Sequence, residues 1–167
     1  MDIHSILITA HLIGVTLGVG GATFVGIFYL KAMKDGHIDP MEGQWLGIIF
    51  TILRIGLVIA VLSGFGFFLE YRLTGQEERL LDPRLWAKMT IIIVLVFNAL
   101  LIQMRKIPMW LGESLSITSW YGALVLGVWQ SAIYSYSTFL VFYVIAVFIV
   151  MGILSIIKRL YLGKKIA

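Results

Sequence analysis

The sequence predicts an all-α protein, a single polytopic transmembrane helical bundle. Three observations predict it. Of 167 residues, 60% are hydrophobic and 13% charged, and the mean hydropathy is +0.97; a soluble domain of this size cannot bury that much apolar surface. The apolar residues fall in long runs that recur along the chain, each of the length a helix needs to cross a hydrocarbon core of ~30 Å. The basic residues behind the net charge of +4 stand mostly at the ends of those runs, as in membrane proteins, so the charge does not indicate a nucleic-acid surface. Cysteine is absent, which excludes disulfides, thiolate metal sites and Cys nucleophiles.

The first span covers about 4–31. Met1-Asp2-Ile3-His4 has no basic n-region and no small-residue cleavage site follows, so the span reads as a retained helix. At ~100° per residue, a separation of seven returns to nearly the same face. His4, His11, Gly18 and Ala22 therefore share a face, with Gly14 and Gly26 on its flanks. Small residues at this spacing let helix backbones approach closely in a membrane. The histidine face is thus expected to be buried against neighbours, or against a second copy of the chain in a homo-oligomer.

A polar connection from Lys31 to Ile38 follows. Asp39-Pro40-Met41-Glu42 reads as a capping box with proline at the first helical position, and the second span runs over about 44–71, interrupted in character by Arg54. Arg72 to Leu81 is a polar loop. Asp82-Pro83 repeats the cap-and-proline start, and the third span covers about 84–104 before Arg105-Lys106-Ile107-Pro108 stops it. The stretch from Ile117 to Leu160 has no proline and no charge before Lys158; as one helix it would be about 66 Å long, twice the hydrocarbon core. It is expected to fold back in Ser131–Ser137, giving spans of about 115–132 and 138–160. Five spans result, with a four-span version ending in one over-long helix as the alternative.

Alternating spans place Arg72, Arg79, Arg84 and Lys88 on one side. Lys31, Lys34, Arg105, Lys106, Lys158, Arg159, Lys164 and Lys165 fall on the other. The excess marks the second side as cytoplasmic, with the amino terminus outside. Trp45, Trp86, Trp110, Tyr71, Tyr134 and Tyr161 fall near span ends, as an interfacial aromatic belt requires.

Depth then sorts the polar residues. His11, Lys88, Glu70 and Gln130 belong to one outer layer, with His4 above them. Arg54 and Asn98 share a deeper layer nearer the cytoplasm. An intramembrane charge costs several kcal/mol unless paired, hydrated or turned inward, so Arg54 needs Asn98, carbonyls, water or an anion, or else must snorkel to the interface. His37 is a solvated loop residue. Met89, Met104, Met109 and Met151 form no copper-type array, and zinc-spaced histidines, phosphate loops and nucleophile triads are missing.

The segments His11-Leu12-Ile13-Gly14, Gly20-Gly21-Ala22-Thr23-Phe24 and Leu85-Trp86-Ala87-Lys88 resemble two related membrane groups. One is the copper-resistance D family; the other is the haem-binding membrane protoporphyrinogen oxidase of bacteria. The likeness covers the first three helices and its motifs are short. It implies a prokaryotic cytoplasmic membrane, haem b held by His11 as metal ligand, and a functional lysine at Lys88. This chain departs from the pattern in having no second intramembrane histidine. The sixth iron position would fall to Met89, to water, to an open site or to a second copy.

Two functional expectations follow. In the first, the protein binds haem b in a redox or electron-transfer role, with His11 as axial ligand and Lys88 or Arg54 pairing with propionates. In the second, it is a small transporter or channel whose Arg54 and Asn98 line an anion or polar-solute path. A purely structural protein built on the glycine seam is a third class.

Overall fold

The structure is a computed structural model that describes residues 2–32, 37–129 and 134–163, leaving out the side chains of Tyr161 and Leu162. Gln130, Lys34, Lys164, Lys165 and the Tyr161 side chain, all used in the sequence reading, lie outside what is described. Five α-helices follow one another: α1 Ile3–Ala32, α2 Pro40–Leu73, α3 Pro83–Gln103, α4 Met109–Val128 and α5 Tyr136–Leu162. A short 3₁₀ turn, Glu77–Leu81, leads into α3. No strand occurs among the described residues.

Helices α1, α2, α3 and α5 are long and apolar enough to cross a membrane. At 20 residues, α4 is about 30 Å long but less apolar. It begins at Met109, six residues before the expected start at 115, because Pro108 is its N-cap. That shift carries Glu113 into the helix.

The ends follow from local chemistry. Asp39 opens α2, where the Glu42 carboxylate accepts the Asp39 backbone N–H at 3.1 Å, the return half of a capping box. Asp82 opens α3 and accepts the Arg84 N–H at 2.8 Å. Gly75, at φ +72°, closes α2 in the left-handed region that glycine tolerates. Arg105 does the same after α3 at φ 55°, a conformation costing a side-chain-bearing residue about 1 kcal/mol. α4 ends at Val128 and α5 begins at Tyr136, with Ser135 as the N-cap of α5 accepting from the Thr138 N–H; of the fold-back expected in Ser131–Ser137, residues 131–133 lie outside the described residues.

Packing is organised in two units. Helices α1 and α2 form an antiparallel pair, joined by Trp120 of α4 and Leu95 of α3 in a core with Ala22, Val25, Leu53, Leu57 and Ala60. On its other side α4 packs with α3 and α5 around Ala87, Ile91, Leu126 and Phe139. The least apolar helix therefore stands at the centre.

A constant register runs down the α1–α2 seam. His4 meets Glu70, His11 meets Ser63, Gly14 meets Ala60, Gly18 meets Gly56 and Gly21 meets Leu53. In each pair the two residue numbers add to 74. The α1 positions advance by three, four or seven residues, the spacing that keeps one stripe facing a partner. The glycines are needed for the distance: a Cβ on Gly14 would lie 2.6 Å from the Ala60 nitrogen, and one on Gly56 would lie 2.8 Å from the Gly18 nitrogen. The seam expected to mediate homo-oligomers is thus covered by the chain's own α2, with Gly18 also against the Trp120 indole and Gly26 against Glu113 of α4.

Candidate functional site

The polar end of the seam gathers the start of α1, the end of α2 and the start of α3. His4 Nδ1 lies 3.0 and 3.1 Å from the two Glu70 carboxylate oxygens. Phe67 follows one turn deeper, its ring edge-on to both His4 and His11 with centroids 5.8 Å away in each case. Below it His11 Nδ1 is 3.0 Å from the Ser63 hydroxyl oxygen.

The Ser63 hydroxyl also lies 2.7 Å from the Ile59 carbonyl and 3.2 Å from the Ala60 carbonyl. With its single proton on the Ile59 carbonyl, Ser63 accepts from His11 Nδ1, the tautomer in which Nε2 keeps a lone pair. The same pattern of contacts recurs at Thr23, Thr90 and Ser119, each within hydrogen-bond distance of the carbonyl four residues back and of a tyrosine hydroxyl on a neighbouring helix: Tyr121 at 3.0 Å, Tyr136 at 2.9 Å and Tyr143 at 2.8 Å.

Lys88, half-buried on α3, is near enough to act on His11 electrostatically. It makes no hydrogen bond to any described residue. Its own surroundings include Asp82 and Arg84. The Arg84 guanidinium bonds both Asp82 oxygens, at 3.0 and 2.9 Å from Nε, and holds the Asp82 carboxyl below the usual carboxylate range. His11, Lys88 and Glu70 therefore do share one end of the bundle, with Glu70 committed to His4. Gln130 lies outside the described residues.

The deeper layer is not assembled as expected. Arg54 is exposed on α2, about 200° around the helix from Gly56 in the seam. Asn98 is 3% exposed and donates to the Gly112 carbonyl of α4 at 2.8 Å. The two are not brought together, because α2 turns its small-residue face to α1 while α3 packs on α4 and α5. Arg54 is equally turned away from the His11 end. Met89 is exposed on α3 and has no described contact with His11.

Sequence reasoning missed two groups. Ser63 was invisible as a partner of His11 until the register was known, although both lie on small-residue faces. Glu113 precedes the fourth span expected from the sequence at about 115–132; Pro108 before an apolar run is the signal that the helix begins earlier. Glu113 is 3% exposed and pairs with Lys158 of α5 at 2.5 Å.

The donor set speaks to ligand type. No group of three or more His, Cys, Asp or Glu side chains able to hold a metal ion occurs among the described residues, so a bare ion lacks a ligand shell there. Haem differs, because the porphyrin supplies four nitrogens and one protein donor suffices. An oriented His11 with a free Nε2, and a nearby unpaired ammonium for a propionate, fit that requirement. Cavities among the described residues lie elsewhere. One of about 340 Å³ lies between α4 and α5, lined by Tyr121, Phe142 and Tyr143 among others; one of about 270 Å³ lies between the end of α1 and the start of α2.

No protein-family model, curated protein or solved structure matches the chain.

Proposed function

We propose that this chain is an integral membrane protein of five spans that binds haem b at its outer end, through His11. The orientation that goes with it has the amino terminus outside and the carboxyl terminus in the cytoplasm of a prokaryotic cell. The observation that carries the reading is the Ser63 contact: a hydroxyl that bonds the Ile59 carbonyl can accept from His11 Nδ1, which would orient the ring and leave the Nε2 lone pair for a metal. Ligating histidines are held in this way by a hydrogen bond from the other ring nitrogen, which fixes the ring and raises its basicity.

The chain's own residues would divide the work. Ser63 orients His11, and Phe67 packs against the imidazole edge. Lys88 offers a charge-assisted bond to a propionate. The His4–Glu70 pair closes the outer end of the seam above them. Arg54, on the outward face of α2, has no part in this arrangement. When bound, haem supplies one-electron redox chemistry, and the protein supplies the ligand, the hydrogen bonding and the surrounding dielectric.

The test is a visible spectrum of protein purified in mild detergent, oxidised and reduced, before and after haemin addition. A Soret band that is lost in His11→Ala and weakened in Lys88→Met is expected. A well-folded wild type that stays colourless and takes up no haemin overturns the reading.

A further inference from the structure

The cavity of about 340 Å³ between α4 and α5 plays no part at the His11 site, and its proportions limit what fits it. It is lined on α4 from Ile117 to Trp129 and on α5 from Phe139 to Val150, at positions three or four residues apart, so one stripe of each helix faces it. At 1.5 Å per residue both walls run for about 16–18 Å, a little more than half of a ~30 Å hydrocarbon core. Spread over that length, the volume makes a channel about 5 Å across. A helix of a second copy cannot enter it, because a helix with its side chains is about 10–12 Å wide. Carbon atoms meet their neighbours at about 3.5–4.0 Å, so the channel takes one extended hydrocarbon chain.

The walls favour the same guest. Their hydroxyls are already bonded within the protein: Thr118 to the Ser114 carbonyl at 2.7 Å, Tyr121 to the Thr23 hydroxyl at 3.0 Å and Tyr143 to the Ser119 hydroxyl at 2.8 Å. Ile91 of α3 and the apolar residues of α4 and α5 make up the rest. A ligand carrying polar groups into the channel would give up their hydration against walls whose hydroxyls are engaged. A saturated chain gives up nothing. Tyr121, Val125 and Phe142 are exposed along the channel, which leaves it open sideways to lipid.

The mouth is polar. Beside Trp129 stands the Asp82–Arg84 ion pair: Arg84 Nη1 donates to the Trp129 carbonyl at 3.0 Å, and Nε bonds both Asp82 oxygens. The two side chains remain 29% and 25% exposed. An anion and a cation side by side complement a headgroup of both signs, with its phosphate on the guanidinium and its ammonium on the carboxylate. We propose that the α4–α5 channel binds one acyl chain of a zwitterionic phospholipid, whose headgroup rests on Asp82 and Arg84. The lipid belongs to the leaflet at the His11 end of the bundle; only the naming of that leaflet as the outer one rests on the orientation proposed above.

The experiment is native mass spectrometry of the whole chain released from detergent micelles, with phosphatidylethanolamine and phosphatidylglycerol of identical chains added in competition. The wild type is expected to keep one lipid per chain, the ethanolamine form favoured about 1.5–5-fold, the worth of one exposed ionic contact. Ala146→Phe places a ring inside the channel and should abolish retention. Gly122→Val fills it from the opposite wall, where a Cβ meets only Ile91 and Tyr143, at 3.8 and 3.9 Å, so the helix accepts the change. Asp82→Asn should keep the chain and level the two headgroups. If the wild type retains lipid no better than both filled variants, all folded by circular dichroism, no chain occupies the channel and the proposal fails. A wild type that holds the two lipids equally overturns the assignment of the headgroup to the ion pair, and the proposal with it. Haem enters none of these measurements, so their failure is distinct from a failure of the His11 reading.

Discussion

Replacing Gly56 by alanine adds one methyl group at a close backbone approach of the α1–α2 seam. Its Cβ would lie 2.8 Å from the Gly18 nitrogen, 2.9 Å from the Gly14 oxygen and 2.9 Å from the Leu17 Cβ. Favourable non-bonded separations are about 3.5–4.0 Å. Two of the three atoms are backbone, so no rotamer change relieves them; α1 and α2 must part by several tenths of an ångström. Overpacking of this kind costs about 1–3 kcal/mol. Alanine gains about 0.5–1 kcal/mol over glycine in a helix interior, so the net loss should be about 0–2.5 kcal/mol. Gly20 is the control: nothing lies within 4 Å of a Cβ there, and Gly20→Ala should show the propensity gain alone. The assay is unfolding by sodium dodecyl sulfate in mixed micelles, followed by circular dichroism. If Gly56→Ala and Gly20→Ala unfold at the same point, the seam is not packed as described and the register argument fails with it.

Three further outcomes are expected. Ser63→Ala removes the acceptor that fixes His11 and should weaken haemin affinity about 10–100-fold, read by spectroscopic titration, while unfolding changes by no more than about 1 kcal/mol. Asp82 is held below the usual carboxylate range by Arg84; its folded value lies below the unfolded one, so its contribution is complete above about pH 4 and is lost as pH falls further. Asp82→Asn keeps the cap acceptor but should cost about 0.2–1 kcal/mol at neutral pH and progressively less as pH falls below about 4, measured by unfolding across that range. Tyr143→Phe deletes the bond to Ser119 linking α4 to α5 and should cost about 0.6 kcal/mol, detected in the same unfolding assay; a neutral result would show that bond adds nothing in the membrane environment.

Much of the fold was legible because bilayer thickness and helix geometry leave few options. The caps at Asp39 and Asp82 and the small-residue seam of α1 follow from spacing and turn chemistry. The site was only half legible. Depth alone put His11 and Lys88 at one end, and the structure has them there. Depth alone also put Arg54 beside Asn98, and rotation about the helix axis separates them, since a residue two positions from the seam points outward. Which hydroxyl meets His11 depends on the register of two helices, which neither sequence segment specifies by itself. Glu113 escaped notice for a third reason: a lone acid near a helix start looks like a loop residue unless the start is placed correctly.

The central position of α4 has a consequence for how this chain is made. Ser114, Thr118 and Ser119 return their protons to their own helix, at 2.8, 2.7 and 2.6 Å, so they need no outside donor. The carboxylate of Glu113 has no such internal remedy and is provided for only by Lys158, which emerges from the ribosome 45 positions later. A cell translating this chain therefore holds an incomplete fourth helix until nearly the last residues of the fifth have appeared. Until then the Glu113 carboxylate is without the ammonium that meets it in the finished fold.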